Sequence, residues 1–342
     1  MKIIIVGFGT SGKHYFELLK KLKLKHKISI LEKNFNKDNQ TKHLNIYKNL
    51  NDIRKSKQKF DYAIIATPSH LHFKFADFFI RQKTNVLIEK PMVLKLNHAK
   101  TLIKITEKFR VKCWVALQNR YNKAIQKFKT EIFKKKLGTI SLIDSTLIWK
   151  RDFKYYKKNW RGKYRTDGGV LSNQAIHLLD TLIYLFGEIK KLNVIAGFNK
   201  KKLQAEDLIS INFLHKNNII SSLKATTRAD RDYRVAIDAI GNKGRIVVKG
   251  ISLNTFNIFK KGILKYDRSN SEEFSLGKGP LSGMGNGHYK LLKEFLGKKR
   301  KCSKNLEIKN NYYLLKVLHS IYNSLNDNKF SVINDKQSIL GK

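Results

Sequence analysis

The N-terminal end of the chain carries the pattern that most restricts the fold. Residues 3–6 read Ile-Ile-Ile-Val, a run that predicts a buried strand because it offers water no polar face. A turn with three glycines follows, then an amphipathic helix over 13–25, and then a second apolar run over 28–31 that leads to Glu32. This order of strand, turn, helix, strand and acid is typical of the first half of a doubly wound parallel sheet.

The glycine turn has the chemistry of a phosphate site. A pyrophosphate needs backbone N–H groups that no Cβ obstructs, and it needs the positive end of a helix. Glycines allow the tight turn, the close approach of the phosphates and the close packing of helix on strand. A chance glycine-rich turn is the alternative, but all the surrounding elements are in register. We therefore predict a dinucleotide site that includes Gly7, Phe8, Gly9, Thr10, Ser11 and Gly12.

The acid after the second strand bears on which dinucleotide binds. Glu32 lies 20 positions after Gly12, where a carboxylate can accept hydrogen bonds from both ribose hydroxyls of an adenosine. The 2′-phosphate of NADP would be repelled there, so NAD is the predicted cofactor and NADP is less favoured. Lys33 follows the acid and weakens this preference.

The chain is strongly basic, with 70 Lys and Arg against 26 Asp and Glu and a net charge of +44. Such a charge suggests nucleic-acid binding, but 57 of the basic residues are lysine and they are spread along the whole chain. Base recognition prefers arginine, and single-strand binding needs aromatic residues interleaved with cations on one surface. We therefore expect a lysine-rich solvated surface that attracts an anionic small-molecule substrate, with no specific nucleic-acid site.

Cysteine content and hydropathy bear on the cell compartment. Cys113 and Cys302 are the two cysteines, and neither metal-site spacing nor a disulfide framework is present, so we expect a cytoplasmic protein without a metal site. The apolar run at the N-terminus is too short for a signal peptide, and no window approaches the roughly 20 apolar residues of a membrane span. A length of 342 residues allows two domains.

A third buried strand places a polar loop at the edge of the predicted sheet. Residues 61–67 form this strand, and a proline closes it. Doubly wound sheets bind ligands at the carboxyl ends of their strands, so we expect Thr67, Pro68 and His72 at the cofactor site. Packing or helix capping is the alternative for histidines here, and we favour it for His70.

A fourth apolar strand, over 86–88, leads into Glu89-Lys90-Pro91. The proline biases the preceding lysine away from helix, so the Lys90 ammonium projects from the carboxyl end of the strand. Close to a positively charged nicotinamide ring the neutral amine is favoured, and it can then act as a general base. A lysine of the solvated surface is the alternative.

Together these motifs resemble a known family. The glycine turn, Ala66-Thr67-Pro68 and Glu89-Lys90-Pro91 are similar to those of the glucose-fructose oxidoreductase, inositol dehydrogenase and rhizopine-catabolism (Gfo/Idh/MocA) family of NAD(P)-dependent oxidoreductases. In that family the lysine of the Glu-Lys-Pro motif is associated with proton transfer. The resemblance implies that Lys90 is catalytic and that Glu89 and Lys90 also border the cofactor.

A strand over 111–116 completes the nucleotide-binding domain, so we predict domains over 1–117 and 118–342. The polar and aromatic residues that follow lie at the domain junction, where substrate pockets usually form. An ordinary linker is the alternative, although the scarcity of arginine favours a function. We therefore expect substrate to bind Gln118, Arg120 and Tyr121.

Residues 150–167 are irregular and rich in aromatic residues and arginine. A structureless loop of this size inside a compact domain is usually functional. Planar rings and guanidinium groups suit a nucleotide base and its phosphates, so we place Tyr156 at the substrate and Trp160 and Arg161 at the cofactor. A contact between subunits is the equal alternative.

Glycines and a predicted helix follow over residues 167–180. Asn173 and His177 lie four positions apart on one face of that helix. An imidazole on this face can hydrogen-bond a substrate hydroxyl and share its proton with Lys90 across a cleft. A buried histidine that Asp180 satisfies one turn later is the alternative.

This stretch resembles the second motif of the family, in which a helix delivers a histidine to the substrate. The resemblance implies that His177 is catalytic and that Asn173 binds substrate. Many members carry an aspartate four residues before the histidine, so Asn173 removes a carboxylate from the site. The stretch is most similar to the subset of UDP-N-acetylglucosaminuronate 3-dehydrogenases of surface-polysaccharide synthesis.

The rest of the chain predicts a second, larger sheet. Short alternating segments from 189 to 267, the last of them at 263–266, indicate antiparallel strands, whose flat face suits the packing of a second copy into a homo-oligomer. The glycine-rich loop over 277–287 has no phosphate fingerprint, and a helix over 307–325 ends the fold. The predicted class is an α/β Rossmann domain followed by an α+β domain with a large, mostly antiparallel sheet.

The functional hypothesis is a dehydrogenase that moves hydride between NAD and the C3 hydroxyl of a sugar, namely a nucleotide-linked N-acetylhexosamine or uronic acid. Oxidation of inositol or a free sugar, and reduction of a keto sugar, are alternatives within the family. A cofactor-binding protein without turnover that contacts polyanions is the alternative from another class.

Overall fold

A computed structural model of the protein describes residues 1–22, 24–36, 41–199, 203–260, 271–273, 287–297, 304–327 and 329–342. The chain forms two compact units. The first comprises Met1–Ala116 with Leu291–Tyr312, and the second comprises Leu117–Lys290 with Tyr313–Lys342.

The return of residues 291–312 to the first unit differs from the predicted division, which placed them in the second domain. Aromatic packing explains it. The ring of Phe295 lies 5.4 Å from that of Tyr62 and 5.5 Å from that of Trp114, centroid to centroid. Phe295 and Trp114 are almost completely buried, so this segment supplies part of the core of the first unit.

Within the described residues, the first unit holds a parallel sheet of six strands in the order β3-β2-β1-β4-β5-β6. The strands are β1 (Lys2–Val6), β2 (Lys27–Leu31), β3 (Asn45–Tyr47), β4 (Tyr62–Ile65), β5 (Asn85–Ile88) and β6 (Cys113–Val115). The helices within Met1–Ala116 are α1 (Thr10–Lys21), α2 (Leu50–Ser56), α3 (His72–Arg81) and α4 (Leu96–Phe109). The predicted Rossmann fold is confirmed.

The strand order decides which loops are neighbours. The chain reverses direction across the sheet at β1, which pairs with β2 on one side and β4 on the other. Since β4 pairs with β5, the loops after β1, β4 and β5 leave the sheet side by side at its carboxyl edge. Ligands of doubly wound sheets bind at such a point.

The second unit holds a sheet of nine strands among the residues described, in the order β14-β13-β12-β11-β7-β10-β9-β8-β15. Only the β7–β10 pair is parallel in this set, which confirms the predicted, mostly antiparallel sheet. The strands are β7 (Ile140–Ile148), β8 (Ile189–Gly197), β9 (Leu208–His215), β10 (Ile220–Thr226), β11 (Arg234–Gly241), β12 (Gly244–Lys249), β13 (Thr255–Lys260), β14 (Ser271–Glu273) and β15 (Ser331–Val332).

Five helices complete the described part of the chain: α5 (Lys123–Phe133), α6 (Phe153–Tyr156), α7 (Ile176–Phe186), α8 (Gly287–Leu296) and α9 (Tyr312–Asn323). Helix α6 is a correction, since residues 150–167 were predicted to be irregular throughout. Its first turn forms because the Asp152 carboxylate accepts a hydrogen bond from the backbone N–H of Tyr155 at 3.0 Å. None of the helices in the described ranges is long and apolar enough to cross a membrane.

The final helix begins later than predicted. Residues 304–306 and 308–311 form 3₁₀ turns, and α9 starts at Tyr312. The side chain of Asn311 donates hydrogen bonds to the carbonyl oxygens of Asn305 and Glu307, at 3.0 and 2.8 Å, and such bonds compete with a regular helix. The predicted strand at 263–266 and the glycine loop over 277–286 lie outside the described residues.

The two faces of the second sheet differ in burial. One face is fully buried and includes Ile143, Leu223 and Ile237. On the other face Leu142 and Ile220 are direct neighbours across β7 and β10, and they are 45% and 52% exposed. The association of a second copy through this face stays a prediction.

Helix α5 offers a test of the core of the second unit. Phe128 is fully buried and its ring packs 5.8 Å from that of Phe186 on α7, so Phe128→Ala should lower the free energy of unfolding by about 3–5 kcal/mol. Phe133 lies on the same helix but is 87% exposed, so Phe133→Ala should stay within about 0.5 kcal/mol of wild type. Urea denaturation of the two variants decides, and equal losses would contradict the packing described.

Candidate active site

The turn after β1 is held by close backbone contacts. Gly7 has a φ of 89°, and a Cβ built on it would lie 2.8 Å from the carbonyl oxygen of Ala66. A Cβ on Gly12 would lie 2.0 Å from the carbonyl oxygen of Gly7. Both positions therefore require glycine, one for its backbone conformation and its contact with the chain after β4, the other for the packing of α1 on the turn.

The N-terminus of α1 is suited to an anion. Gly9 occupies the position before the helix, no side chain there bonds to the first helical N–H groups, and the first turn contains no acidic residue. A Cβ on Gly9 would meet nothing within 4 Å. The first turn of α1 therefore presents backbone donors and the positive end of the helix dipole to open space, which fits the pyrophosphate of a dinucleotide.

Glu32 stands next to this turn, as predicted. Its Oε2 accepts a hydrogen bond from the backbone N–H of Phe8 at 2.9 Å. The ring of Phe8 packs edge-on against those of Phe16 and Phe35, with centroids 5.7 and 5.3 Å away. The carboxylate is thus held at the end of β2, where its remaining acceptor capacity suits the ribose hydroxyls of NAD.

His72 holds together the two loops that follow β4 and β5. It is 1% exposed, and its Nδ1 and Nε2 lie 2.8 Å from the carbonyl oxygen of Pro91 and 2.9 Å from that of Thr67. Burial lowers the pKa of His72, although both carbonyls act in the opposite direction. The ring, predicted to contact the cofactor, lies here between two backbone carbonyls, to one of which the neutral ring donates its N–H, and this supports a positioning role.

Glu89 belongs to the loop Glu89–Pro91 after β5, here called the lysine loop. It links this loop to α1, the helix that starts at the glycine turn. Its Oε1 accepts a hydrogen bond from the hydroxyl of Tyr15 on α1 at 2.8 Å, and its Oε2 accepts one from the backbone N–H of Lys90 at 3.2 Å. Tyr15 is fully buried, and burial together with the charge of Glu89 raises its pKa well above the usual value, so the hydroxyl remains a donor. Tyr15 was not among the predicted site residues.

The predicted residues of the second unit cluster at the start of α7. Leu171–Ala175 form a π turn that leads into the helix, and this turn carries Asn173 just ahead of His177. The Nε2 of Gln118 lies 3.5 Å from the Nδ1 of His177. With the carboxamide in this orientation, Nδ1 is the acceptor and Nε2 carries the proton of the neutral ring.

Arg120 is paired with a carboxylate of α7. Its Nε lies 3.2 and 3.1 Å from the two carboxylate oxygens of Asp180, and its contact with substrate stays a prediction. The two side chains are 11% and 1% exposed, and a buried carboxylate requires such a cation. The pair fixes the 3₁₀ turn Gln118–Tyr121 on α7 and so positions Gln118 beside His177.

The aromatic loop, residues 150–167 before α7, is organised around the hydroxyl of Tyr155. Arg161 and Gln174 donate hydrogen bonds to that oxygen, the second at 3.0 Å. The guanidinium carbon of Arg161 also lies 3.9 Å from the ring centre of Tyr155 and 4.3 Å from that of Trp160. Burial raises the pKa of Tyr155 to about 12, which keeps the phenol protonated.

Two other predicted residues lie at the margins of this cluster. The hydroxyl of Tyr156 is 3.0 Å from the Oγ1 of Thr227, and burial raises the pKa of Tyr156. Tyr121 is half-buried at the end of its 3₁₀ turn. The parts of the chain that the structure describes contain no group of three or more His, Cys, Asp or Glu side chains arranged to hold a metal ion.

A buried carboxylate that was not predicted lies under the π turn. Glu206 is fully buried, and its Oε1 accepts hydrogen bonds from the N–H of Leu171 and the hydroxyl of Tyr322, both at 3.0 Å. A Cβ on Gly169 would lie 2.3 Å from its carboxyl carbon, which explains the glycine there. Burial raises the pKa of Glu206 to about 7.

The glycine turn predicts a separation of cofactor binding from folding. Because a Cβ on Gly9 meets nothing in the protein, Gly9→Ala should leave the melting temperature unchanged while weakening NAD binding about 10-fold or more, since the methyl occupies the space of the phosphates. Gly12→Ala should lower both, because its Cβ strikes the carbonyl of Gly7. Titration calorimetry and thermal melts measure the two effects. Unchanged NAD affinity in Gly9→Ala would rule out a pyrophosphate at this place.

Glu206 predicts a pH dependence of stability. Its folded pKa of about 7 lies above the ordinary value of 4.5, so its contribution to stability is complete below pH 4.5 and is lost as pH rises through 7. Glu206→Gln removes this loss, so between pH 5 and 8 the variant should gain roughly 2–3 kcal/mol relative to wild type in urea unfolding. Glu188→Gln, which changes a carboxylate that is 49% exposed, should follow wild type. Parallel pH curves for all three proteins would refute the assignment.

Two family models match the chain. Residues 1–117 match the model described as an oxidoreductase family with an NAD-binding Rossmann fold. Residues 125–247 match the Gfo/Idh/MocA C-terminal domain. The NAD site predicted from the glycine turn therefore lies in a domain whose family binds NAD, and the predicted cofactor is confirmed.

Two relatives are similar to the chain at low sequence identity. The chain is 25% identical over 207 residues to an uncharacterized protein of Saccharomyces cerevisiae, covering 59% of this chain and 58% of that protein. It is 22% identical over 255 residues to glucose-6-phosphate 3-dehydrogenase of Bacillus subtilis, covering 71% and 72%. The match thus spans less than two thirds of the length of the first of these relatives.

Solved structures match over nearly the whole chain. The WlbA dehydrogenase of Bordetella pertussis, in complex with NADH and UDP-GlcNAcA, superposes with a TM-score of 0.84 at 22% identity, covering 98% of both chains. A levoglucosan dehydrogenase in complex with NADH and levoglucosan gives a TM-score of 0.78 at 17% identity, covering 97% and 99%. At such identities the likeness shows the fold. The two family models show that the chain belongs to the Gfo/Idh/MocA family of oxidoreductases with an NAD-binding Rossmann domain.

Proposed function

We propose that the protein is an NAD-dependent dehydrogenase that oxidises a secondary hydroxyl of a sugar. The observation that carries the proposal is the hydrogen bond between Tyr15 and Glu89. It joins α1, whose N-terminus suits the cofactor pyrophosphate, to the loop that carries Lys90. A cofactor site and a candidate base therefore belong to one rigid edge of a single sheet.

Lys90 is the proposed general base. Lys90 follows the end of β5 at the carboxyl edge, and its backbone N–H donates a hydrogen bond to Glu89. The backbone from which its side chain extends is therefore held in place. The amine takes the proton of the substrate hydroxyl as the carbinol is oxidised. NAD, when bound, supplies the acceptor for the hydride.

His177 and Asn173 are proposed to bind the same substrate from α7 and its π turn. With Nδ1 accepting from Gln118, the Nε2–H of His177 is the donor that we propose orients a hydroxyl oxygen for Lys90. Gln118 is proposed to act through this contact. Tyr121, Tyr156, Trp160 and Arg161 complete the proposed surface for the remainder of the substrate and for the cofactor.

The proposed substrate is a nucleotide-linked N-acetylhexosamine or its uronic acid, oxidised at C3. The WlbA structure is a complex with UDP-GlcNAcA, and the Bacillus subtilis relative is a 3-dehydrogenase of a phosphorylated sugar. Both ligands are anionic, and a net charge of +44 favours the approach of anions. Arg161, stacked on Tyr155 and Trp160, offers the planar cation and rings that a nucleotide prefers.

A free sugar is the second candidate substrate. It is favoured by the levoglucosan dehydrogenase, whose complex with an uncharged sugar has the same fold over nearly the whole chain. This candidate keeps the roles of Lys90 and His177 and changes only the groups that surround the rest of the substrate.

Kinetics with a matched lysine pair test the proposal. NADH formation is followed across UDP- and dTDP-sugars, inositol and free sugars for wild type, Lys90→Met and Lys104→Met. Lys104 is an exposed residue of α4, and its variant should match wild type. Lys90→Met should lose kcat by about 100-fold or more, because general-base catalysis contributes at least this factor.

Two outcomes would contradict the proposal. Activity of Lys90→Met within a few-fold of wild type would remove Lys90 as the base. Turnover confined to free sugars would overturn the nucleotide-sugar assignment and leave the second candidate.

A further inference from the structure

A buried carboxylate lies directly behind Asn173. Asp167 is 3% exposed, and its Oδ2 accepts a hydrogen bond from the side-chain nitrogen of Asn173. The same oxygen lies 3.9 Å from an Nη of Arg161. A buried carboxylate with a cation beside it is therefore one hydrogen bond away from Asn173.

This carboxylate decides which way the amide of Asn173 faces. A carboxylate is an acceptor only, so it pairs with the NH₂ group and repels the carbonyl oxygen. The oxygen must then point to the other side, where the hydroxyl of Tyr155 donates to it at 3.4 Å. An asparagine without a charged neighbour has no comparable preference between its two amide orientations.

The hydrogen bonds around Tyr155 run in one direction and end at Asp167. Arg161 and Gln174 donate to the Tyr155 oxygen, the phenol donates to the oxygen of Asn173, and the amide of Asn173 donates to Asp167. Bonds aligned in this way polarise one another. The amide orientation is thus enforced from both ends.

We propose that Asp167 is a positioning residue that fixes the amide orientation of Asn173, so that the amide oxygen is the group that accepts from a substrate hydroxyl. The inference rests on the proposed function, in which Asn173 binds the sugar. The site keeps the hydrogen-bond acceptor that an aspartate would provide, while the negative charge stays buried beside Arg161. An anionic sugar therefore meets a neutral acceptor at Asn173, which favours a substrate that carries a carboxylate or phosphate.

A charge-swap experiment tests the proposal. Asp167→Asn frees the amide of Asn173 to rotate and should raise KM about 10-fold while changing kcat less. Asn173→Asp places two carboxylates in contact, so its activity should fall at pH 8 and recover partly at pH 6, where the pair binds a proton. The double variant Asp167→Asn with Asn173→Asp restores one amide and one carboxylate, and its kcat/KM should return to within about 5-fold of wild type.

The control is Asp238→Asn on β11, which breaks the ion pair of another largely buried aspartate of the second unit with a half-exposed arginine, Arg245. It should leave KM unchanged. If Asp167→Asn behaves like this control, or if the losses of the two single variants simply multiply in the double variant, the positioning role is overturned.

A urea-unfolding cycle with the same four proteins of the Asp167 and Asn173 set separates this inference from the proposed function. If wild type oxidises no sugar on the panel, the proposed function fails, and the cycle still decides whether Asp167 holds Asn173. A double variant with a higher unfolding midpoint than the sum of the two single shifts predicts supports the contact. Additive shifts overturn it.

Discussion

The contact between the backbone of α1 and the turn after β1 is the constraint on which the nucleotide site depends. The 2.0 Å between a Cβ on Gly12 and the Gly7 carbonyl oxygen means that the helix can reach the turn only because Gly12 has no side chain. This approach brings the first N–H groups of α1 to the carboxyl edge of the sheet. It also carries Tyr15, one turn further along α1, to Glu89, so the lysine loop is attached to the same helix.

Lysine and arginine together make the chain strongly basic, but they have different roles in the described ion pairs. Lysine provides most of the charge, and the lysines of the described ion pairs are half-exposed or more, apart from Lys20 at 41%. Several arginines instead pair with buried aspartates, as in Arg120 with Asp180 and Arg228 with Asp207. Arginine's fixed fork suits such carboxylates, so its scarcity in the sequence reflects structural use at least as much as contact with substrate.

The parallel sheet and the glycine turn of the first unit could be predicted from the sequence, because their signals are local, whereas the inclusion of residues 291–312 could not. Four β-branched residues make β1, glycines at fixed spacing make the turn, and Glu32 follows β2 directly. The bond from Tyr15 to Glu89 could not be foreseen, since it joins residues 74 positions apart and Tyr15 has no local signal beyond its place on an apolar helix face.

In the second unit, fewer contacts of the candidate site could be predicted from the sequence. Asn173, His177 and the residues of segment 150–167 could be picked out as candidates from the sequence. The pairing of Arg120 with Asp180 could not, because nothing local reveals that Asp180 is buried against it. The sequence likewise did not indicate Asp167 or Glu206 as site residues. Arg120 and Glu206 gain their roles from partners that only the folded chain brings near. The α6 turn and the late start of α9 depend instead on side-chain bonds between residues close in the sequence.

The central claim is that an amine and an imidazole serve one hydroxyl beside the nicotinamide. The most direct measurement is a crystal structure of the protein with NADH and a sugar that it oxidises. The account predicts that the Nζ of Lys90 and the Nε2 of His177 both lie within about 2.6–3.2 Å of a single hydroxyl oxygen. A complex in which the reacting hydroxyl contacts neither side chain, or only His177, would contradict it.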